Sequence, residues 1–212
     1  MLHLSRYVEQ VKHWPESGRH ILAQFDEGRF VVYQAYGPNI AKFALENQRF
    51  GGEFSFQRMT WIKPNFLWMM YRSGWATKTG QERVLAVFLK RQFFDQVLSQ
   101  AVHTTFEPEL YASPADHRQA LEESPVRLQW DPDHDPAGRP LARRAIQLGI
   151  KAEIVRQYAS EAIMGIEDMT ELVSAQRAIV ERRDWSRLTI PSEAVYRPKD
   201  AKIAERILLD DC

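Results

Sequence analysis

The segment from Arg58 to Glu82 constrains the fold more than any other part of the chain. It holds three of the six tryptophans and four cations within one strongly apolar stretch. These residues are Trp61, Trp68, Trp75, Arg58, Lys63, Arg72 and Lys78. Because a buried cation is costly unless it is paired, the fold must give these cations acidic partners, solvent or a ligand.

The local pattern of this segment predicts a strand, a buried helix and a second strand. Pro64 suits the first turn of a helix and Gly74 suits the left-handed residue after it, which predicts a helix from about Pro64 to Ser73. That helix is apolar almost all round, so we expect it to be buried. Alternating side chains predict a strand from Glu53 to Trp61, and the run after Glu82 predicts another as far as Arg91.

Elsewhere, helix and strand patterns mix without repeats or a linker. His20–Phe25 and Arg29–Tyr36 flank a turn signal and predict a β-hairpin. Further strands are predicted at residues 126–130 and 141–150, and a proline- and aspartate-rich turn between them at 131–140. Helices are predicted near residues 2–12, 38–45, 92–101, 115–122, 151–160 and 170–183. The tail from Trp185 is expected to lie over the surface, apart from a short last helix. These patterns predict a single α+β domain with a mixed or antiparallel sheet and packed helices.

Composition excludes several classes of protein. The chain has 28 basic and 28 acidic residues, which argues against a whole-chain polyanion binder but allows a local basic patch. Its one cysteine, Cys212, allows neither an intrachain disulfide nor a cysteine metal site. Without a secretory signal or an apolar run of membrane-spanning length, we expect a cytoplasmic protein with no membrane partner.

Motif searches are mostly negative. The chain has no phosphate loop, dinucleotide fingerprint, HExxH, CxxC or nucleophile elbow. The stretch Asp131–Asp135 is similar to the start of a calcium loop, but Pro136 and Ala142 occupy the positions that need glycine and glutamate. We therefore interpret it as a turn and expect no metal site. His134 is a candidate general base, although a lone loop histidine is usually only solvated.

The cations and tryptophans predict a ligand site when they are considered together. Arg58, Lys63 and Arg72 could clamp a phosphate or carboxylate, and Trp61 could stack on a planar group. The alternative is that the cations pair with acids such as Glu46, Glu53 or Glu82 while the tryptophans form core.

Three more candidates come from predicted strand ends. Tyr33 and Gln34 precede a helix, where ligands often bind. Glu82 starts a strand and is the best-placed catalytic acid; its alternative is an ion pair with a nearby cation. A second polar set could face the same cleft: Gln129, Asp131, Arg144 and Gln147.

Six motifs together resemble a known family. They are VYQAY at 32–36, RMTWIKPNFLWMMYRSGWA at 58–76, QERVLAV at 81–87, VRLQWDPDHD at 126–135, RRAIQLGI at 143–150 and IPSEAVY at 190–196. The family is the uncharacterised domain of unknown function 4291, and the resemblance runs from about His20 to Tyr196. It implies a stand-alone domain without an established activity. Residues 1–17 are then an N-terminal extension and residues 18–212 the domain.

The chain departs from the family pattern in three places. Asn65 replaces the usual serine, Asp133-His134 replaces Glu-Arg, and Ala162 replaces a common tryptophan. The first change puts any role for a hydroxyl at position 65 in question.

A looser analogy links the strand ending in YQAY, the helix after it and the later strand-start acid with ADP-ribosyltransferase-like folds. It implies NAD as the cofactor, held by Tyr33, Arg58 and Trp61, with Glu82 stabilising a developing sugar cation. The usual Ser-Thr-Ser strand is missing, and Ser55 is a poor substitute for it. The analogy rests on fold alone.

Three functions remain open from the sequence. The first is an enzyme, a nucleotide- or NAD-dependent transferase, that binds a nucleotide-type substrate or cofactor. The second is a module that binds RNA or single-stranded DNA on the same cations and tryptophans. The third is a non-catalytic structural or partner-binding domain.

Overall fold

The computed structural model describes residues 1–211, and Cys212 lies outside the described residues. These residues form eight helices and twelve strands, so the predicted α+β class is confirmed. The helices are α1 Tyr7–Gln10, α2 Pro38–Asn47, α3 Phe66–Ser73, α4 Arg91–Ser99, α5 Pro114–Glu123, α6 Ala152–Ala159, α7 Thr170–Glu181 and α8 Ala201–Arg206. The strands are β1 Leu4–Arg6, β2 Gly18–Arg19, β3 Ile21–Ala23, β4 Arg29–Tyr36, β5 Thr60–Ile62, β6 Arg83–Lys90, β7 Ala101–His103, β8 Val126–His134, β9 Pro140–Ile150, β10 Ile163–Asp168, β11 Thr189–Pro191 and β12 Ala194–Tyr196. Within residues 1–211, no helix combines the length and the apolar character needed to cross a membrane.

Two sheets meet at one backbone contact beside β5. The smaller sheet is antiparallel, in the order β10-β6-β4. In the larger sheet, β8 pairs with one side of β9 while β5 and β2 pair with the other, and β7 runs parallel to β8. The amide of Tyr33 in β4 donates to the carbonyl of Lys63, just after β5, at 2.7 Å. This contact fixes the edge of the small sheet against the large one.

Strand β4 separates two apolar clusters because its side chains alternate between two faces. Val32 belongs to the larger cluster, with Val87, Phe94 and other fully buried residues. Val31 and Tyr33 belong to the second cluster, which α3 and α7 cover. Since each fully buried large apolar side chain contributes about 1.5–3 kcal/mol, both faces of this strand are strongly fixed.

The segment before β5 is not the predicted strand. Only Thr60–Ile62 is extended and paired, and the residues from 53 to 59 form turns. Phe54 and Phe56 pack on each other with ring centroids 5.2 Å apart, and Phe54 stacks on Phe50 at 4.9 Å. The alternation of apolar residues that predicted a strand here therefore comes from aromatic side chains packing under a loop. Such a cluster does not require the regular two-residue spacing of a strand.

Both ends of the chain are more ordered than their patterns indicate. The helix predicted at residues 2–12 is reduced to α1 and a following 3-10 turn, and β1 precedes it. The tail after Trp185 does not simply lie over the surface, because β11 pairs with β1 and β12 pairs with β3. Ile190 and Tyr196 are fully buried. The first residues thus pack into the domain, and Trp14 is buried in the second cluster.

Helix α3 confirms the predicted buried helix, and its first turn explains residue 65. The side chain of Asn65 accepts a hydrogen bond from the amide of Trp68 at 2.6 Å, which is an N-cap. Gly74 ends the helix in the left-handed conformation, with a φ of 60°. Serine and asparagine are comparable N-caps, so the exchange at this position keeps the same structural role.

Replacing Asn65 with alanine is expected to lower the free energy of unfolding by about 1–2 kcal/mol, because a buried amide at the helix start loses its acceptor. Asn65→Ser is the matched control and is expected to retain most of the stability. Urea unfolding of both variants measures the difference. Equal losses in the two variants would contradict the capping role.

Candidate functional site

A cavity of about 530 Å³ opens above β5, between β4 and the β8–β9 hairpin. We call it the Lys63 cavity. Residues from β4, the segment 53–61, α3, the loop at 80–81 and the hairpin line it. The lining includes three cations, Arg58, Lys63 and Arg72, and one acid, Glu53. Its local charge is therefore positive although the whole chain is neutral.

The structure brings five of the predicted site residues to this cavity from three separate parts of the chain. They are Gln34, Arg58, Trp61, Lys63 and Arg72. Gln129 and Gln147, from the second polar set, line the same cavity. These two glutamines face each other across the hairpin.

Two predicted residues do not line the cavity. Tyr33 is fully buried on the opposite face of β4, where its ring meets Phe66 edge-on at 5.5 Å. Glu82 accepts a hydrogen bond from the amide of Gly80 at 2.9 Å through Oε1. Its Oε2 atom is buried and has no hydrogen-bond partner among the described residues. Arg144, from the second polar set, is exposed and also lies outside the lining.

Lys63 is the most unusual group in the cavity because it is only 5% exposed. Its ammonium group contacts the carbonyl of Trp61 at 3.5 Å, and none of the ion pairs formed within residues 1–211 includes it. Burial and the charge of Arg72 together lower the pKa of Lys63 to about 8, against the opposing effect of Asp131. Lys63 therefore loses its proton far more readily than an ordinary lysine, although the charged form still predominates at pH 7.

Asp131 supplies negative charge behind the cavity wall. Its two carboxylate oxygens accept hydrogen bonds from the side-chain amides of Gln129 and Gln147, each at 2.7 Å. These bonds hold the carboxylate in place, and they hold the two amides in the orientation that they present to the cavity.

Trp61 and Gln34 form the floor of the cavity near Lys63. The side-chain amide of Gln34 donates to the Trp61 carbonyl at 3.3 Å, and its oxygen accepts a bond from the buried hydroxyl of Tyr158. The indole lies over Gly149, where a Cβ atom would come within 3.0 Å of ring carbons of Trp61 and 2.6 Å of the sulfur of Met59. Gly149 is a residue that sequence reasoning missed. A glycine inside a strand is the signal that would have found it.

The Asp131–Asp135 stretch is not the turn that was expected. Strand β8 continues to His134, and the tight turn comes only after it. Asp133 is buried, and its Oδ2 atom accepts hydrogen bonds from Nη2 and Nε of Arg143 at 2.6 and 2.8 Å. Burial raises the pKa of Asp133 despite that partner. His134 stacks on Tyr71 at 3.6 Å, away from the cavity lining.

A second buried acid stabilises the start of α3. Glu193 accepts a hydrogen bond from the amide of Phe66 at 2.6 Å and lies 3.3 Å from the side-chain nitrogen of Asn65. Burial raises the pKa of Glu193 well above its usual range. Because α3 carries Met69 and Arg72 to the cavity wall, this cap helps to position that wall.

The fold and the cavity together define an α+β domain with one cation-lined and tryptophan-lined pocket. The chain belongs to the family described as Domain of unknown function (DUF4291), whose model matches residues 20–196. This match confirms the resemblance found from the six motifs, and it contains every residue of the Lys63 cavity. A comparison with curated proteins gives no match.

Proposed function

We propose that the protein is an enzyme that binds a nucleotide-type substrate or cofactor in the Lys63 cavity. Arg58, Lys63 and Arg72 attract the phosphate groups, and Trp61 contacts the base or another planar group. The observation that carries the proposal is the convergence of these three cations and one tryptophan on one open pocket.

The two arginines are available to a ligand. Neither Arg58 nor Arg72 takes part in the ion pairs of residues 1–211, and both are exposed at the cavity. Glu46 pairs with Lys42 at 3.9 Å, and Glu53 accepts a bond from an asparagine instead. A guanidinium group offers a planar, two-point match to phosphate, so free arginines here favour an anionic ligand.

Two of the three tryptophans in the segment from Arg58 to Glu82 form core, and the third is placed to contact a ligand. Trp68 and Trp75 are buried and belong to the core, whereas Trp61 is half-buried and lines the cavity. One indole beside cations suits a single planar group. The volume of about 530 Å³ also lies within the usual range for small-ligand pockets. Both features support a mononucleotide or dinucleotide over a long strand of nucleic acid.

The specific form of the proposal that we favour uses NAD in a transferase reaction. Glu82 remains the acid that we propose for catalysis. It follows Gly80 and Gln81, which line the cavity, and its Oε2 atom is buried without a partner in the described part of the chain. An unpaired buried carboxylate oxygen is costly, and Glu82 contacts a ligand hydroxyl only if its carboxylate turns from its place beside Gly80 into the cavity.

The proposal predicts that at least one nucleotide stabilises the protein against heat. A ligand at a hundred times its dissociation constant adds about 2.7 kcal/mol, which raises Tm by several degrees in a domain of this size. Differential scanning fluorimetry with NAD, ADP-ribose, AMP, ATP and GTP tests this directly. Arg72→Gln is expected to weaken the binding about tenfold or more, because a charge-assisted hydrogen bond contributes about 1.5–3 kcal/mol.

Arg182→Gln is the matched control, since Arg182 is an exposed arginine at the end of α7, away from the cavity. It should leave the ligand-induced shift unchanged. If no nucleotide in the panel shifts Tm, the proposal is wrong. If short RNA binds with steep salt dependence while free nucleotides do not, the protein is a nucleic-acid module instead.

A further inference from the structure

Phosphate binding alone does not account for the position of Lys63. A lysine that binds phosphate as a point charge needs its proton and benefits from hydration. Lys63 is instead 5% exposed and contacts one carbonyl oxygen at 3.5 Å. Asp131, whose negative charge acts on Lys63, already accepts two amide bonds, and Arg72 contributes a repelling positive charge.

These surroundings make the neutral amine easier to reach than in an ordinary lysine, and a neutral lysine amine in a pocket is a nucleophile. Its position in the lining gives a bound ligand access to it. The exposed lysines differ in this respect. Lys42 pairs with Glu46, and Lys78 donates to the carbonyl of Arg72 at 2.7 Å.

We propose that Lys63 is a covalent attachment site, whose Nζ atom condenses with the carbonyl carbon of a phosphorylated sugar held by Arg58 and Arg72. The ligand class is a sugar phosphate or nucleotide with a free anomeric carbon, such as ADP-ribose in its open-chain aldehyde form. The inference rests on the proposed function, since it takes the same cavity to bind a nucleotide-type ligand. A reaction that cleaves an N-glycosidic bond in a nucleotide must supply such a ligand.

The condensation consumes one proton from solvent water and no other reactant. The Nζ lone pair forms a bond to the aldehyde carbon, and one of the two amine protons moves to the carbonyl oxygen to give a neutral carbinolamine. The solvent proton lets that oxygen leave as water, and the nitrogen keeps its second proton and the positive charge of the protonated imine. No electron is transferred. The fixed carboxylate of Asp131 stabilises the positive charge of the imine, while Arg58 and Arg72 hold the phosphate.

Reductive trapping tests this assignment. The protein is incubated with ADP-ribose and cyanoborohydride, and peptides are mapped by mass spectrometry. A single adduct is expected on Lys63, with a rate that rises through a midpoint near pH 8. Ordinary exposed lysines titrate near 10.4. Lys63→Arg keeps the positive charge but has no nucleophile at this pH, so it should abolish the adduct. Lys42→Arg is the matched control and should leave the adduct intact.

The charged groups around Lys63 provide a second readout. Arg72 from α3 and Asp131 from β8 act on the pKa of Lys63 in opposite directions, and Arg58 and Glu53 line the rest of the wall. Arg72→Gln should therefore raise the midpoint of the labelling rate, and Asp131→Asn should lower it. A lysine that is labelled only because it is accessible would show neither shift.

Binding is measured separately by the ADP-ribose-induced change in Tm, which distinguishes the two proposals. If ADP-ribose raises Tm but the label is absent from Lys63 or spread over exposed lysines, the covalent inference is wrong and the proposed function stands. If ADP-ribose neither raises Tm nor labels Lys63, the inference is wrong, and the nucleotide panel decides the proposed function independently. Lys63→Met is the second variant should Lys63→Arg fail to fold.

Discussion

Lys63→Met is expected to raise the free energy of unfolding by about 2–3 kcal/mol at pH 7, while it weakens or abolishes ligand binding. The pKa of Lys63 is about 8 in the folded protein, against an ordinary value of 10.5. Below pH 8 the folded state therefore carries the full cost of a charged buried amine, about 3 kcal/mol. Methionine fills a similar volume without a charge, so the variant should escape that cost.

The change of stability with pH provides a second test of this prediction. Between pH 8 and 10.5 the unfolded chain binds more protons at this residue than the folded protein does. The wild-type protein should therefore gain stability as the pH rises through that window, and its difference from Lys63→Met should shrink. Urea unfolding at several pH values measures both effects, with the exposed Lys42→Met as the control. A Lys63→Met variant that is less stable than wild type at pH 7 would contradict the interpretation. Stability gained where binding is lost is the trade-off expected at functional sites.

Arg143→Met is expected to cost about 3–5 kcal/mol, the usual effect of removing one partner of a buried ion pair. It leaves Asp133 buried without its cationic partner. The charge of Asp133 already adds to burial in raising the pKa of the neighbouring Glu193. The guanidinium group also lies over the ring of Trp14 at 5.3 Å, so the variant loses that contact as well.

The next residue along β9 provides a matched control. Arg144 is exposed, since neighbouring residues of a strand point to opposite faces, and Arg144→Met should change stability by no more than about 0.5 kcal/mol. The double variant Asp133→Asn/Arg143→Met removes both charges and should recover a large part of the loss. Urea unfolding measures all three variants. If Arg143→Met costs no more than Arg144→Met, the ion pair has no structural role.

Local signals were enough to predict some elements. Gly74 correctly identified the end of α3 because that position needs a left-handed backbone. Pro64, predicted in the first turn, lies just before the N-cap Asn65 instead. Glycine and proline at positions 37 and 38 identified the start of α2. The long strands β4, β6 and β9 were found from their runs of β-branched and apolar residues.

Other features depend on contacts that no local pattern encodes. Strands β11 and β12 are three residues long and are stabilised by partners near the other end of the chain. Strand β10 contains Gly165 and an irregular register, which obscure its pattern. The two-residue spacing of Phe54 and Phe56 led to the wrong prediction of a strand, because side chains in an aromatic cluster can have the same spacing.

Five of the seven predicted site residues line the cavity, and on β4 the direction of each side chain decides which ones do. Gln34 lines the cavity whereas Tyr33 points to the other face of β4 and packs against Phe66 in the second cluster. Proximity in sequence suggested Arg58, Lys63 and Arg72 as one group, but their convergence depends on Trp61 pairing with Gly149 and on Lys63 pairing with Tyr33. Those registers are set by the whole sheet.

The pairing of β1 with β11 and of β3 with β12 has a consequence during protein synthesis. Leu4 pairs with Pro191 and Ala23 with Ala194, so β1 and β3 leave the ribosome long before the residues that pair with them. Unpaired strand edges are sites of aggregation in nascent chains. The cap that Glu193 provides to α3 arrives at the same late moment. A ribosome stalled before this residue would hold a chain whose ligand pocket still lacks the support of one wall.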